Sequence, residues 1–295
     1  MPRVAVFGGT GYLASLIKNQ NKVKKNEYIL FSRKKTSKNY INYLSLKKYY
    51  NDFKDFDFVI HLLGPNNIQV GKKEYLIKNK NRITSNICDL CLENNIKLIY
   101  ISSLQVYRDY GKKNLSINSK INKKNLYSKL HYESENIIKN KFLNHTNMFA
   151  ILRAGNVFGF KKKDHRLRVP SNNLIHSLCI SALKKRKILI KNGSIQRTFI
   201  PSQIFIQTIN LIIKKKFIKN SIINISYKSF NLKNIAQLID KRFRVLFNLN
   251  LDIQIKKFIK KKIFFIYCNH NLKIGYNKNI FFLEIDRILK YLYKN

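Results

Sequence analysis

The segment Val4–Ala14, VAVFGGTGYLA, constrains this chain more than any other. The apolar run Arg3–Phe7 reads as a strand, Gly8–Gly11 as a turn, and Tyr12–Asn19 as a helix with Leu13, Leu16 and Ile17 on one face. Each small residue has a mechanical reason. Gly8 permits the tight turn, Gly11 lets a diphosphate come close to the main chain, and Ala14 keeps the helix near the sheet. Phosphates would then meet the positive end of the helix. Gly8, Thr10, Gly11, Tyr12 and Leu13 are therefore candidate dinucleotide-binding residues.

The pattern that follows extends this unit into a sheet. Tyr28–Phe31, Phe56–Leu63, Lys97–Ile101 and Phe149–Leu152 have the length and apolar content of buried strands. Helical spacing separates them at Asn81–Glu93 and Tyr127–Phe142. Strands alternating with helices predict right-handed crossovers and a parallel sheet. The fold class is α/β, a Rossmann-type doubly wound parallel sheet, with a smaller C-terminal substrate lobe. Residues 1–160 form the first domain, with a return segment at 195–225, and 161–194 with 226–295 form the lobe. ILIKNGSIQRTFI reads as a hairpin turning near Gly193. The chain ends in a helix whose apolar side carries Leu283, Ile285, Ile288, Leu289 and Leu292.

Composition excludes several classes. Hydrophobic residues at 45% supply a core, so the 295-residue chain is not disordered as a whole. No apolar run approaches the ~20 residues of a membrane span. The N-terminus carries no export pattern, and four cysteines are too few for a disulfide framework, which points to the cytoplasm. Lys plus Arg number 58 against 15 acidic residues, a formal charge of +43. That excess fits nucleic acid, but the lysines are spread in short clusters, and Lys, Asn and Ile are abundant together, as AT-rich coding would give. Cys88 and Cys91 lie inside a helical pattern and read as core; His61 reads likewise, and no metal-binding spacing is found.

The end of the second strand addresses nucleotide choice. An acidic residue there would receive a ribose 2′-hydroxyl, whereas this chain has Ser32-Arg33-Lys34. A hydroxyl and a guanidinium suit a 2′-phosphate, which favours NADP over NAD.

Several segments in order resemble the extended short-chain dehydrogenase/reductases, the NAD-dependent epimerase/dehydratase group acting on nucleotide sugars. They are the opening glycine motif, DFVIHLLGP at 57–65, the helix–strand unit at 81–107, ILRAGNVFG at 151–159, GSIQRTFI at 193–200 and LKIGYNKN at 272–279. The resemblance implies that Leu63 and Gly64 border the cofactor and that Ser103 orients a substrate oxygen. It also implies that Asn156 and Arg197 touch a nucleotide-sugar substrate and that the chain forms a homodimer through helices 81–94 and 127–142. In that family a Tyr exchanges a proton with the substrate, and a Lys one turn later holds the nicotinamide ribose and lowers the phenol pKa. A phenol near pKa ~10 needs such a charge to act as base at neutral pH.

Here the chain departs from its relatives. One register of NLYSKLHYESENII keeps Lys129 and Glu133 but puts Asn125 at the tyrosine position; the other keeps Tyr127 and Glu135 and puts His131 at the lysine position. The second is preferred, because it leaves Ile137 and Ile138 facing the core. Tyr127 and His131 then share a helix face, and a protonated imidazole would assist the phenol. Leu104 and Gln105 stand where dehydratases carry an acidic pair, so epimerase or reductase chemistry is favoured. A cofactor-binding protein without turnover and a basic RNA-binding relative are the alternatives.

Overall fold

The computed structural model describes residues 1–18, 26–34, 38–64, 74–146, 148–159, 173–214, 219–260, 262–264, 266 and 279–294. The expected closing motif at 272–279 and the basic stretch after Gly159 lie almost entirely outside them.

Strand β1 (Arg3–Phe7) is buried from Val4 to Phe7 because it takes a parallel neighbour on each edge, β2 (Glu27–Phe31) and β3 (Phe58–His61). Beyond β3 lie β4 (Lys97–Ser103) and β5 (Phe149–Ala154), both parallel, and then β9 (Ser221–Ile225). The order β2-β1-β3-β4-β5-β9 reverses direction at β1. A doubly wound sheet opens a crevice at that point, outside the carboxyl ends of its strands. Helices α1 (Tyr12–Lys18), α2 (Glu74–Glu93) and α3 (Leu126–Lys141) make the crossovers. On one side Phe7, Phe31, Phe53 and Phe56 pack ring against ring, with Phe7 and Phe53 edge-to-face at 5.5 Å.

The chain divides into two compact units. The first comprises 1–108, 117–154 and 208–224, and the second 109–116, 155–207 and 225–295. The second holds a three-stranded sheet of β6 (Asn156–Phe158), β8 (Gln196–Pro201) and β10 (Lys228–Asn231), in the order β10-β8-β6. Strands β7 (Lys187–Ile190) and β11 (Asp252–Ile255) pair in parallel beside it. Helices α4 (Leu174–Lys185), α6 (Leu232–Phe247) and α7 (Ile280–Lys294) enclose a core that includes Phe158, Phe199, Ile239, Phe281 and Ile285. Helix α5 (Ser202–Lys214) carries the chain back to the first unit.

Three expectations are corrected. The residues around Gly193 do not form a hairpin: β7 pairs with β11 and β8 with β10 and β6, because Ile188 and Ile190 turn into the helical core while β8 is claimed on both edges. Helix α2 begins at Glu74 rather than Asn81; Lys80, a charged residue on its buried side, hides the apolar period there. Leu283 is exposed, since the buried face of α7 runs through Phe281, Glu284, Ile285 and Ile288, and Glu284 is satisfied there by the Ser202 hydroxyl at 2.7 Å. Among the described residues no helix is long and apolar enough to cross a membrane.

One ion pair fixes α3 against the sheet. Arg153 on β5 meets Glu135 on α3 through Nε–Oε1 at 3.0 Å and Nη2–Oε2 at 2.6 Å, and the Ser102 hydroxyl donates to Oε1 at 2.5 Å. Both charged side chains are buried. Removing one member of such a pair leaves the other unmatched. Arg153→Met should therefore lower unfolding free energy by about 3–5 kcal/mol, and adding Glu135→Leu should recover much of it. Urea unfolding checks this; a single variant losing under ~1 kcal/mol would contradict the assignment.

Candidate active site

At the switch point the first unit forms a cavity of about 410 Å³ lined by Gly8, Thr10, Gly11, Ser32, Arg33, Lys34, Tyr43, Leu62, Leu63 and Gly64. Its walls are the ends of β1, β2 and β3. Gly8 takes φ +96°, a left-handed conformation that side chains resist. Gly9, whose role the sequence left unassigned, is held by its amide on the Phe31 carbonyl at 2.8 Å. A methyl there would meet Leu30 Cβ and Phe31 O at 2.9 Å. Tyr43 ties the same parts together: its hydroxyl accepts from the Gly8 amide at 3.0 Å and donates to the Phe31 carbonyl at 2.8 Å. Seven of the nine expected cofactor residues line this cavity; Tyr12 and Leu13 open α1 without being among its described lining residues. Ser32 is buried and its hydroxyl accepts from the Lys34 amide at 3.1 Å, while Arg33 is exposed.

Behind the Leu63–Gly64 wall runs a buried polar chain. The Lys80 ammonium donates to the Leu63 carbonyl at 2.8 Å and lies 5.2 Å from the centre of the Tyr100 ring. Burial drives its pKa from 10.5 down to about 7. His61 takes the Leu63 amide on Nδ1 at 3.2 Å and meets the Thr84 hydroxyl at 3.2 Å through Nε2. Tyr100 Oη and His131 Nδ1 are 2.8 Å apart, and the His131 ring stands edge-on to Tyr127 at 4.7 Å. Burial first, and the Lys80 charge second, hold both His61 and His131 well below the usual imidazole value. His131 is thus neutral near pH 7, which corrects the expectation of an imidazolium beside Tyr127: a ring buried beside another cation does not keep a proton.

Tyr127 is half-buried in the first turn of α3, one residue past its start. Asn125 caps that helix, its Oδ1 accepting from the Ser128 amide at 3.1 Å, and Lys129 reaches outward to Glu133 at 3.7 Å. Lys129 is therefore not brought to Tyr127's buried neighbours. Ser103 ends β4, with its hydroxyl accepting from the Gln105 amide at 3.2 Å. In the second unit Asn156 and Arg197 gather around Tyr110: Asn156 Nδ2 lies 3.3 Å from the phenol oxygen and the guanidinium 5.7 Å from the ring centre. The Tyr110 hydroxyl also accepts from the Thr198 amide at 3.0 Å.

Sequence reasoning missed Tyr43, Lys80 and Tyr110. Tyr43 sits in an irregular segment without periodicity, and Lys80 is one of 58 basic residues. The only available signal for Lys80 was its position three residues before Ile83 on an apolar helix face.

A parallel sheet wound in both directions around a glycine-walled cavity defines the Rossmann-type class. The chain belongs to the NAD dependent epimerase/dehydratase family, which matches residues 4–226. It is similar to the UDP-N-acetylglucosamine 4-epimerase of Bacillus cereus, at 19% identity and TM-score 0.76, over 99% of this chain and 96% of that one. The UDP-N-acetylglucosamine 4-epimerase of Methanobrevibacter ruminantium M1, solved with UDP-N-acetylmuramic acid, gives 19% and 0.78 over 99% and 98%. The dTDP-glucose 4,6-dehydratase of Bacillus anthracis, solved with NAD, gives 15% and 0.77 over 100% and 97%. At these identities the likeness is one of fold. No curated protein matches the chain.

Two outcomes follow for stability. Gly9→Ala should destabilise by about 1–3 kcal/mol, since backbone rather than a mobile side chain meets the added methyl; an unchanged denaturation midpoint would contradict it. Lys80 binds its proton less tightly folded than unfolded. Stability is thus full above pH ~10.4 and falls as pH descends to about 7. Lys80→Met should remove that slope, so its stability margin over the wild type is greatest below pH ~7 and shrinks toward pH ~10. Urea midpoints across this range measure it, and a constant margin would contradict it.

Proposed function

We propose that this chain is an NADP-dependent enzyme acting on a nucleotide sugar, by hydride transfer coupled to proton transfer at a sugar oxygen, as an epimerase or 4-keto reductase. The observation carrying this reading is the cavity lined by Gly8, Thr10 and Gly11 at the switch point, in a chain of the epimerase/dehydratase family. The residues fit a dinucleotide. Gly8 and Gly11 present main chain without side-chain obstruction, and Ser32, Arg33 and Lys34 supply a hydroxyl and positive charge beside the end of β2. That set favours a 2′-phosphate, so NADP is the preferred cofactor and NAD the weaker one. When bound, the nicotinamide supplies the hydride chemistry.

The chain's own groups handle orientation and protons. Ser103 holds the substrate oxygen by its hydroxyl, and Tyr127 exchanges a proton with it through Oη. His131, neutral and fixed on Tyr100, orients the Tyr127 ring by its edge contact. Asn156 and Arg197, joined at Tyr110, are the proposed contacts to the substrate's nucleotide. The resemblances to two 4-epimerases favour epimerisation. Leu104 and Gln105 supply no acid for dehydration.

The test is a mass-spectrometric screen of UDP-, GDP- and dTDP-sugars with NADPH or NADP. Turnover of one of them should fall by about 100-fold or more in Tyr127→Phe. Arg33→Asp should shift preference from NADPH toward NADH by roughly tenfold, measured by fluorescence titration. A second reading, dinucleotide binding without turnover, is favoured by the neutral His131; wild-type binding with no product from any of these sugars would select it.

A further inference from the structure

The proposed Tyr127 base requires a positive charge nearby, and neither expected residue brings one. Lys129 is exposed and paired with Glu133, and His131 is buried and neutral. Arg153 is buried on the same sheet, but its charge is matched by Glu135 at 2.6 Å. Lys80 differs from all three. It is buried on α2 and, among the described residues, no carboxylate pairs with it: its ammonium rests on the Leu63 carbonyl at 2.8 Å and above the Tyr100 ring at 5.2 Å. A methyl group at Gly64 would lie 3.4 Å from Lys80 Nζ. The nitrogen is therefore directly behind residues that line the glycine-walled cavity.

We propose that Lys80 is a buried cation of the dinucleotide site, held behind the Leu63–Gly64 wall and coupled through Tyr100 and His131 to Tyr127, and that filling the cavity with an anionic dinucleotide draws a proton onto it. The proposal rests on the dinucleotide reading of the cavity. Chemically, the Lys80 amine lone pair takes a proton from a buffer acid, giving the ammonium and the buffer's conjugate base; the Leu63 carbonyl accepts a hydrogen bond from either form. In the empty protein, burial balances the two forms near neutrality. A diphosphate entering the cavity favours the charged form, because Lys80 is buried behind the wall and opposite charges interact more strongly through protein than through water. By the same linkage, a protonated Lys80 tightens the anion.

The groups facing Lys80 do not compete for this proton. His61 on β3 and His131 on α3 are neutral in the same range, and Tyr100 on β4 is raised well above the ordinary phenol value by burial. Glu135, beyond Tyr100, stays paired with Arg153. Lys80 is a positioning residue, acting on cofactor and phenol through Leu63, Tyr100 and His131 rather than by touching the reacting atoms.

Calorimetric titration of the full-length protein with NADPH at pH 7.5, in HEPES and in Tris, measures the proton directly. The dependence of heat on buffer ionisation enthalpy should give uptake of about half a proton or more in the wild type. Lys80→Met and Lys80→Arg should lose that uptake. The first should bind about tenfold more weakly, and the second should keep its affinity because its charge is permanent. Titration of the NADPH phosphate is common to all three proteins and cancels in the difference. On the wild type alone, Lys80 uptake measured with NADH should vanish below pH ~6, where the ammonium is already formed, which tests the claim even where a variant fails to fold. Saturable binding with the same uptake in Lys80→Met, or with no uptake in the wild type, overturns the proposal alone. Absence of saturable binding to the wild type overturns the dinucleotide reading and this proposal with it.

Discussion

The turn leaving β1 lies against the end of β2 at hydrogen-bond distance, and the rest of the site depends on that approach. The Gly9 amide reaches the Phe31 carbonyl at 2.8 Å, and the Tyr43 hydroxyl bridges the Gly8 amide to the same carbonyl. With the turn pulled onto β2, the ends of β1, β2 and β3 border a cavity lined in part by Gly8, Gly11 and Gly64. A side chain at Gly9 would push the turn off β2 and open the cavity on one side. The conformational demand at Gly8 and the steric demand at Gly9 are separate constraints, and both are met by losing a side chain.

A second constraint sets the chemistry behind that cavity. Lys80, His61, Thr84, Tyr100, Ser134 and His131 share one buried polar region, linked by the His61–Thr84, Thr84–Ser134 and Tyr100–His131 contacts. Burial first, and the Lys80 charge second, suppress protonation of both imidazoles, so among the described groups of this region Lys80 is the one that takes up positive charge near neutrality. Glu135 and Arg153 lie next to it and neutralise each other, holding α3, and with it Tyr127, in register with β4 and β5. Charge placement and helix placement are thus handled by different side chains, which lets one vary without disturbing the other.

The fold was largely legible in the sequence because its central strands are buried on both faces. Val4–Phe7, Phe58–His61, Lys97–Ser103 and Phe149–Ala154 stand out as short apolar runs, and the glycines after β1 mark where the sheet changes direction. The second unit was less legible. Strands β7, β10 and β11 are four residues long and partly exposed, and its strands pair out of chain order, so β7 and β8 looked like neighbours although each pairs elsewhere. Within the site, residues that line the cavity by backbone position were readable from spacing. Those acting through contacts distant in sequence were not: Tyr43 reaches Gly8 across 35 positions and Lys80 reaches Leu63 across 17. In a chain this rich in lysine, burial of one lysine leaves no mark in composition.

The central claim is that the β1–α1 turn receives the diphosphate of a pyridine dinucleotide. A crystal structure of the protein grown with millimolar NADPH tests it most directly. The account predicts diphosphate density against the main chain of Gly8–Gly11, with the adenosine ribose beside Ser32 and Arg33. Dinucleotide bound elsewhere, or a glycine-walled cavity without nucleotide density under saturating conditions, would contradict it.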